Sequence, residues 1–182
     1  ATGYISEAVS VLGEDYKNVI LKAFPERWVD FPANAGKESG GFETTPYGLH
    51  PYILMSWTGV LPDVYTLIHE LGHAGNFIKI NENNSILTSE PSLYLIESPS
   101  TFNELLLTHS LEQKSDDPRM KRFAYTTMLT NTYFHNFITH LLEAAFQREV
   151  YTLVENGQTF DGDKLTQIKM EDRKSTRLNS SH

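Results

Sequence analysis

Apolar side chains recur at spacings of three and four from the start of the chain. Val9, Leu12, Tyr16, Val19, Ile20 and Ala23 fall on one stripe, which predicts a helix over residues 5–28. Phe24-Pro25 marks its end or a kink, because the residue before a proline avoids the α region. Residues 32–41 (PANAGKESGG) are rich in glycine and small polar side chains and read as a loop. The pattern then shortens. Residues 42–45 and 52–58 combine aromatic, aliphatic and threonine side chains, and predict two strands joined through Pro46-Tyr47-Gly48.

Helical spacing returns with Val64, Leu67, Ile68 and Leu71. Pro62 opens this second helix, where a missing N–H costs nothing. Asp63 follows in its first turn, favourable for the helix dipole. The helix is expected to run to about residue 80, with Gly72 and Gly75 lowering its intrinsic propensity. Residues 81–91 form a polar loop. A third helix is expected over 94–111, and Pro99 inside it implies a kink or a later true start. Ser115-Asp116-Asp117-Pro118 reads as a cap and first turn of a long helix over 119–155, closed by Gly157. The fold class is therefore mainly α, with a small β-sheet next to the second helix. No internal repeat is present.

Composition narrows the functional classes. The 182 residues suit one domain or part of a larger protein, and an apolar fraction of 40% is enough for a core. No apolar run reaches about 18 residues, so no membrane span is expected. The N-terminus has no basic and apolar leader pattern. It also lacks an initiator Met, which suggests that the true start lies upstream. Cysteine is absent, which excludes disulfides and thiolate metal sites and fits a cytoplasmic protein. A metal would have to use His and carboxylates. The formal net charge of −8, without clustered Lys and Arg, leaves no nucleic-acid footprint. Residues 172–182 (DRKSTRLNSSH) match, codon for codon, an in-frame translation of a common sequencing adapter. They are expected to be an artefactual tail on a partial catalytic domain formed by residues 1–171.

Candidate chemistry centres on His69-Glu70-Leu71-Gly72-His73, an HExxH motif. Four residues of α-helix turn about 400°, so His69 and His73 project from one face, one turn apart. Two imidazoles so placed can hold one zinc. Glu70 lies about 100° round from His69, placed to reach a water on the metal rather than the metal itself. It would accept the proton of that water and pass it to a leaving amine. Catalytic zinc commonly takes a third protein ligand. Glu97 is the candidate, with Glu90, in a polar loop beside Pro91, as the competing carboxylate. Glu104 lies seven residues after Glu97, on the same helical face, and could support a ligand imidazole from behind. His109, His135 and His140 have no metal spacing with the motif and read as ordinary helix histidines.

These residues, in this order, resemble the oligoendopeptidase F branch of the thimet oligopeptidase family of zinc metallopeptidases. The resemblance rests on four segments: Gly36-Lys37-Glu38-Ser39-Gly40-Gly41-Phe42, Gly48 to Leu54, Asp63 to His73, and the Glu-x-x-Ser-x-x-x-Glu run from Glu97 to Glu104. It implies a zincin-like catalytic core with a deep channel that admits short peptides. It implies one zinc held by His69, His73 and Glu97, with Glu70 as base. It places the small sheet along the channel, where Gly40, Gly41 and His50 would approach substrate. It also implies oxyanion-stabilising Tyr and His residues beyond residue 171. A zinc carboxypeptidase of related helical fold shares the HExGH pattern and a downstream Glu, but the Gly-Lys-x-Ser-Gly and His-Pro-Tyr segments favour the endopeptidase. A non-catalytic peptide binder would have no need of Glu70.

Overall fold

The computed structural model describes the backbone of residues 1–178 and the side chains up to Glu171. The expected tail at 172–182 lies outside the described residues, apart from the backbone of its first seven positions. The chain divides into two compact units, residues 1–128 and 129–182.

In the first unit, α1 (Thr2–Ala8) passes into a 3-10 turn (Val9–Leu12) and then α2 (Glu14–Leu21). The single helix expected over residues 5–28 is therefore broken. Gly13 is the breaker: its φ of +91° is open to glycine and closed to most side chains. The apolar stripe survives the break, because Ile5, Ala8, Val9, Ile20 and Ala23 are all buried. Of the predicted stripe Val9, Ile20 and Ala23 are buried, Tyr16 and Val19 are partly buried and Leu12 beside the break is exposed, so periodicity reported the face in part and could not report the interruption. Past α2, Arg27 takes a left-handed φ of 60°, and the chain enters strand β1 (Val29–Asp30), which the sequence pattern did not announce.

The two expected strands form as β2 (Gly41–Thr44) and β3 (Tyr52–Met55). The sheet order is β1-β3-β2, with β3 parallel to β1 and antiparallel to β2. Ile53 and Met55 of β3 are buried while Tyr52 and Leu54 are half exposed, the alternation of a strand with one covered face. Gly41 pairs with Met55, and Glu43 with Ile53. Directly opposed residues share a face, so Gly41 and Glu43 point to the covered side.

Helix α3 (Leu61–Asn83) is the centre of this unit. Pro62 and Asp63 open it as expected. Asp63 folds back on the preceding loop: its Oδ2 accepts from the Thr58 amide at 2.7 Å, the Thr58 hydroxyl at 3.0 Å and the Gly59 amide at 2.8 Å. Burial opposes the charged carboxylate, but these bonds outweigh it and hold the carboxyl below its usual range. Val64, Leu67, Ile68, Leu71 and Ala74 form its buried stripe. Packed on it is α4 (Ser98–Lys114), which begins at Ser98 with Pro99 in its first turn, the later of the two starts that the proline allowed. The covered face of α4 is partly polar. Ser100, Asn103 and Thr108 are buried with Leu107 and Leu111. Each polar group is satisfied: Asn103 Nδ2 donates to the Tyr16 hydroxyl (3.1 Å) and the Ile68 carbonyl (3.3 Å), and Thr108 Oγ1 bonds the Glu104 carbonyl and the Tyr65 hydroxyl.

The expected long helix over 119–155 is also divided. Asp117 caps α5 (Pro118–Thr127) by accepting from the Arg119 amide. A π-helical stretch (Met128–Thr139) then leads into α6 (His140–Glu155). After Met128 and Leu129, the π stretch holds only Thr, Asn, Tyr, Phe, His and Ile, all weaker α-formers, and that composition permits the wider turn. A final helix, α7 (Gly162–Leu178), was not anticipated, although Asp161 caps it by accepting from the Lys164 amide at 2.9 Å. No helix among the described residues is long and apolar enough to cross a membrane.

Leu67 is fully buried under α3, and Leu87 is 91% exposed. Leu67→Ala is expected to lower unfolding free energy by about 2–5 kcal/mol, and Leu87→Ala by no more than about 0.5 kcal/mol, in urea denaturation of the chain.

Candidate metal centre

The centre is assembled from α3, the start of α4 and the edge strand β2. His69 and His73 lie one turn apart on α3, their rings edge to face with centroids 4.9 Å apart. Glu97 sits at the residue before α4 and points its Oε2 between them, 3.2 Å from His69 Nε2 and 3.3 Å from His73 Nε2. Donor atoms from these three side chains all lie within 4.8 Å of one another. Glu90, the rival carboxylate, is not part of the cluster. Two imidazole nitrogens and a carboxylate oxygen bound tetrahedrally to one cation at about 2.0–2.1 Å would stand about 3.3 Å apart. The donor set and its spacing fit a divalent cation.

Behind His69, Nδ1 lies 2.6 Å from Glu104 Oε1. Glu104 thus stands on the ring nitrogen of His69 opposite the one that faces Glu97. Burial lowers the His69 pKa, but the bond and charge of Glu104, with Glu70 and Glu97, reverse this and leave it raised. His73 has no side-chain partner on its buried Nδ1. Its pKa is lowered, first by burial and then by the neighbouring His69, against the pull of Glu97. Glu70 is buried beside the cluster. Burial raises its pKa, Glu97 and Glu104 add to the rise, and His69 opposes it.

The sheet reaches the same place. A Cβ added at Gly41 would stand 2.7 Å from Glu70 Oε1 and 2.8 Å from Thr66 Cγ2, so this backbone can lie against the Glu70 carboxylate only without a side chain. Gly40 precedes it at a φ of +99°, its carbonyl accepting from the Ser56 amide. The loop before them is clamped by Lys37. Its side chain is largely covered, and its ammonium donates to the Asp30 carbonyl (2.9 Å), the Asp30 carboxylate (3.1 Å) and the Pro32 carbonyl (2.8 Å). His50 has local partners. Its ring stacks parallel to Trp28 and packs on Tyr52, and Nδ1 lies 2.7 Å from the Pro51 carbonyl.

Residues 5–179 match the model of peptidase family M3. This chain belongs to that family. Among curated relatives it is 29% identical over 162 residues to oligoendopeptidase F (chromosomal) of Lactococcus lactis subsp. cremoris, covering 89% of this chain and 27% of that protein. It is 27% identical over 168 residues to oligopeptidase PepF of Bacillus subtilis, covering 92% of this chain and 25% of the relative. The chain thus spans about a quarter of the length of these relatives. A crystal structure of a protein assigned as a peptidase, from Chlamydophila abortus, superposes with a TM-score of 0.72 at 26% identity over 94% of this chain and 32% of that one. The mainly helical M3 architecture with its small sheet agrees with the fold class expected from sequence.

Three residues at this centre carried no assigned role in the sequence reading. Ser100 and Lys37 lie inside segments that carry the family resemblance. Glu43 was absent altogether, although it lies two residues from Gly41 and so on the same face of β2. Burial pushes the Glu43 carboxyl up to about 7, the Thr45 hydroxyl bond opposes this, and the Glu70 charge adds to it. The folded state therefore keeps this proton to a higher pH than the unfolded chain, whose Glu titrates near 4.5. Stability is lost as pH rises from about 4.5 through about 7. In thermal melts of metal-free protein, Glu43→Gln is expected to shrink the fall in midpoint between pH 5 and pH 8, whereas an equal fall in both proteins would show that Glu43 ionises normally.

Proposed function

We propose that the protein carrying this chain is a zinc-dependent metalloendopeptidase acting on short peptides, and that residues 1–171 form part of its catalytic domain. The observation that carries this reading is the convergence of His69 Nε2, His73 Nε2 and Glu97 Oε2, with Glu70 buried beside them, in a chain of family M3. The names of the relatives supply the substrate class, since oligoendopeptidases cut oligopeptides internally. Zinc is favoured by the chemistry of the donor set, two imidazoles and one carboxylate with no thiolate.

Zinc held there would supply Lewis acidity toward water and the scissile carbonyl. The remaining work falls to side chains. Glu70 takes a proton from water as the water oxygen bonds to the carbonyl carbon. It gives that proton to the amine nitrogen as the C–N bond breaks. A carboxyl raised by burial accepts a proton more readily than one in water. Glu104 accepts from His69 Nδ1–H, which fixes the tautomer and leaves the Nε2 lone pair facing Glu97. Gly41 gives an approaching substrate a side-chain-free backbone next to the base.

In the full-length protein, Glu70→Gln is expected to retain about one zinc per chain and to lose nearly all peptide turnover. Cleavage at the parent rate would refute the base assignment. Glu97→Ala should strip metal on dialysis against a weak chelator, with metal content read by atomic absorption. Glu104→Ala is expected to weaken zinc binding by about 10–100-fold, and unchanged affinity would remove it from the supporting role.

A further inference from the structure

We infer that Ser100 is the positioning residue for the carboxylate of Glu97, and that Gly72 exists in the HELGH segment to let Ser100 reach that place. This inference rests on the reading of Glu97 as the third metal ligand and adds how that ligand is held.

Glu97 is a poor candidate for rigidity on its own. It stands before the first turn of α4, its side chain is 62% exposed, and it has several rotatable bonds. The structure nevertheless aims one oxygen, Oε2, at both imidazoles. Ser100 Oγ lies 3.0 Å from that same Oε2 and 2.9 Å from the Glu97 main-chain carbonyl. A serine hydroxyl has one proton to give. The Glu97 carbonyl already accepts from the Thr101 amide at 2.9 Å, the ordinary helical bond. The carboxylate is the charged acceptor and gains more from the donor. The hydroxyl proton is therefore assigned to Oε2. Ser100 is fully buried, so water does not compete for that proton.

The backbone explains why this serine can stand there. A Cβ on Gly72 would lie 2.5 Å from Ser100 Cα, 2.8 Å from Ser100 N and 2.9 Å from the Pro99 carbonyl oxygen. All three are main-chain atoms of the first turn of α4 and cannot swing aside. Gly72 lies between the two histidines in sequence, three residues after His69 and one before His73. The bare α3 surface at Gly72 thus sets the depth at which α4 begins, and Ser100 converts that depth into a direction for Glu97. Asn103 makes the next link along α4, donating to the Ile68 carbonyl just before His69.

The test uses the full-length protein, zinc affinity by chelator competition, and the visible spectrum of the cobalt-substituted form. Ser100→Ala should weaken zinc binding by about 10–100-fold and alter the cobalt bands, while Ser98→Ala, the same change on the exposed side of the same turn, should do neither. In a Glu97→Ala background, Ser100→Ala should have no further effect, because the serine acts through that carboxylate. If Ser100→Ala weakens binding equally in both backgrounds, or leaves affinity within twofold of the parent, the inference is overturned. If Glu97→Ala itself leaves zinc affinity unchanged, the ligand reading falls and this inference with it. Should the Ala variant not fold, Ser100→Cys, close in size and a weak donor, is expected to show the same loss, and parental affinity in it would count against the role.

Discussion

The close crossing of α3 and α4 at Gly72 and Ser100 is the constraint on which the rest of the centre depends. An alanine at Gly72 would drive its methyl into the main chain of α4. Glycine inside a helix costs about 1 kcal/mol relative to alanine, so its presence in α3 has to be offset by something tertiary. Gly75 repeats the device one turn later, where an added Cβ would meet the ring of Tyr16 and the tip of Ile20. Gly72 lets the main chain of α4 lie on α3, and Gly75 makes room for the Tyr16 and Ile20 side chains of α2. Tyr16 and Asn103 then join all three helices through hydrogen bonds. The packing that holds the histidine helix is the same packing that delivers the carboxylates.

Those carboxylates impose an electrostatic cost. Glu43, Glu70, Glu97 and Glu104 all act on the same small region, and the directions of their mutual influence are recorded in the raised pKa values of Glu43 and Glu70. Like charges this close destabilise one another. The protein offsets part of the repulsion by giving three of the four a specific partner: Thr45 for Glu43, Ser100 for Glu97 and His69 for Glu104. A divalent cation at the Glu97 oxygen would neutralise more of it. The asymmetry between the histidines follows the same logic. His69 is backed by a carboxylate and His73 is not, so a single replacement at Glu104 acts on one donor alone.

The sheet contributes by approach rather than by charge. Lys37 gathers three oxygens from residues 30 and 32, and Ser56 holds the Glu38 carbonyl through its hydroxyl. With both sides of the loop tied, Gly40 and Gly41 enter β2 at a fixed height above α3. That height leaves room for the Glu70 carboxylate and for nothing larger on the strand. The backbone beside the Glu70 carboxylate is thereby kept free of a side chain at Gly41.

Local geometry made the first half of the centre legible in the sequence. An α-helix places residues i and i+4 on one face whatever surrounds it, so His69 and His73 could be paired, and Glu70 set apart from them, from spacing alone. The start of α3 at Pro62 and Asp63 and the paired strands β2 and β3 were readable for the same reason. What lay in the tertiary structure was everything that joins segments distant in the chain. Glu97 was already preferred to Glu90 from sequence, but the direction of its carboxylate toward both imidazoles depends on where α4 meets α3. The role of Gly72 is invisible without Ser100 opposite it, since propensity alone marks the glycine as a flaw. The covered face of α4 escapes an apolar pattern because Ser100, Asn103 and Thr108 carry it through hydrogen bonds. Glu43 reads as a surface strand residue until the register with Ile53 turns it inward. Gly13 and the π stretch divided helices that the sequence pattern ran together, because the spacing of side chains carries no information about the backbone between them.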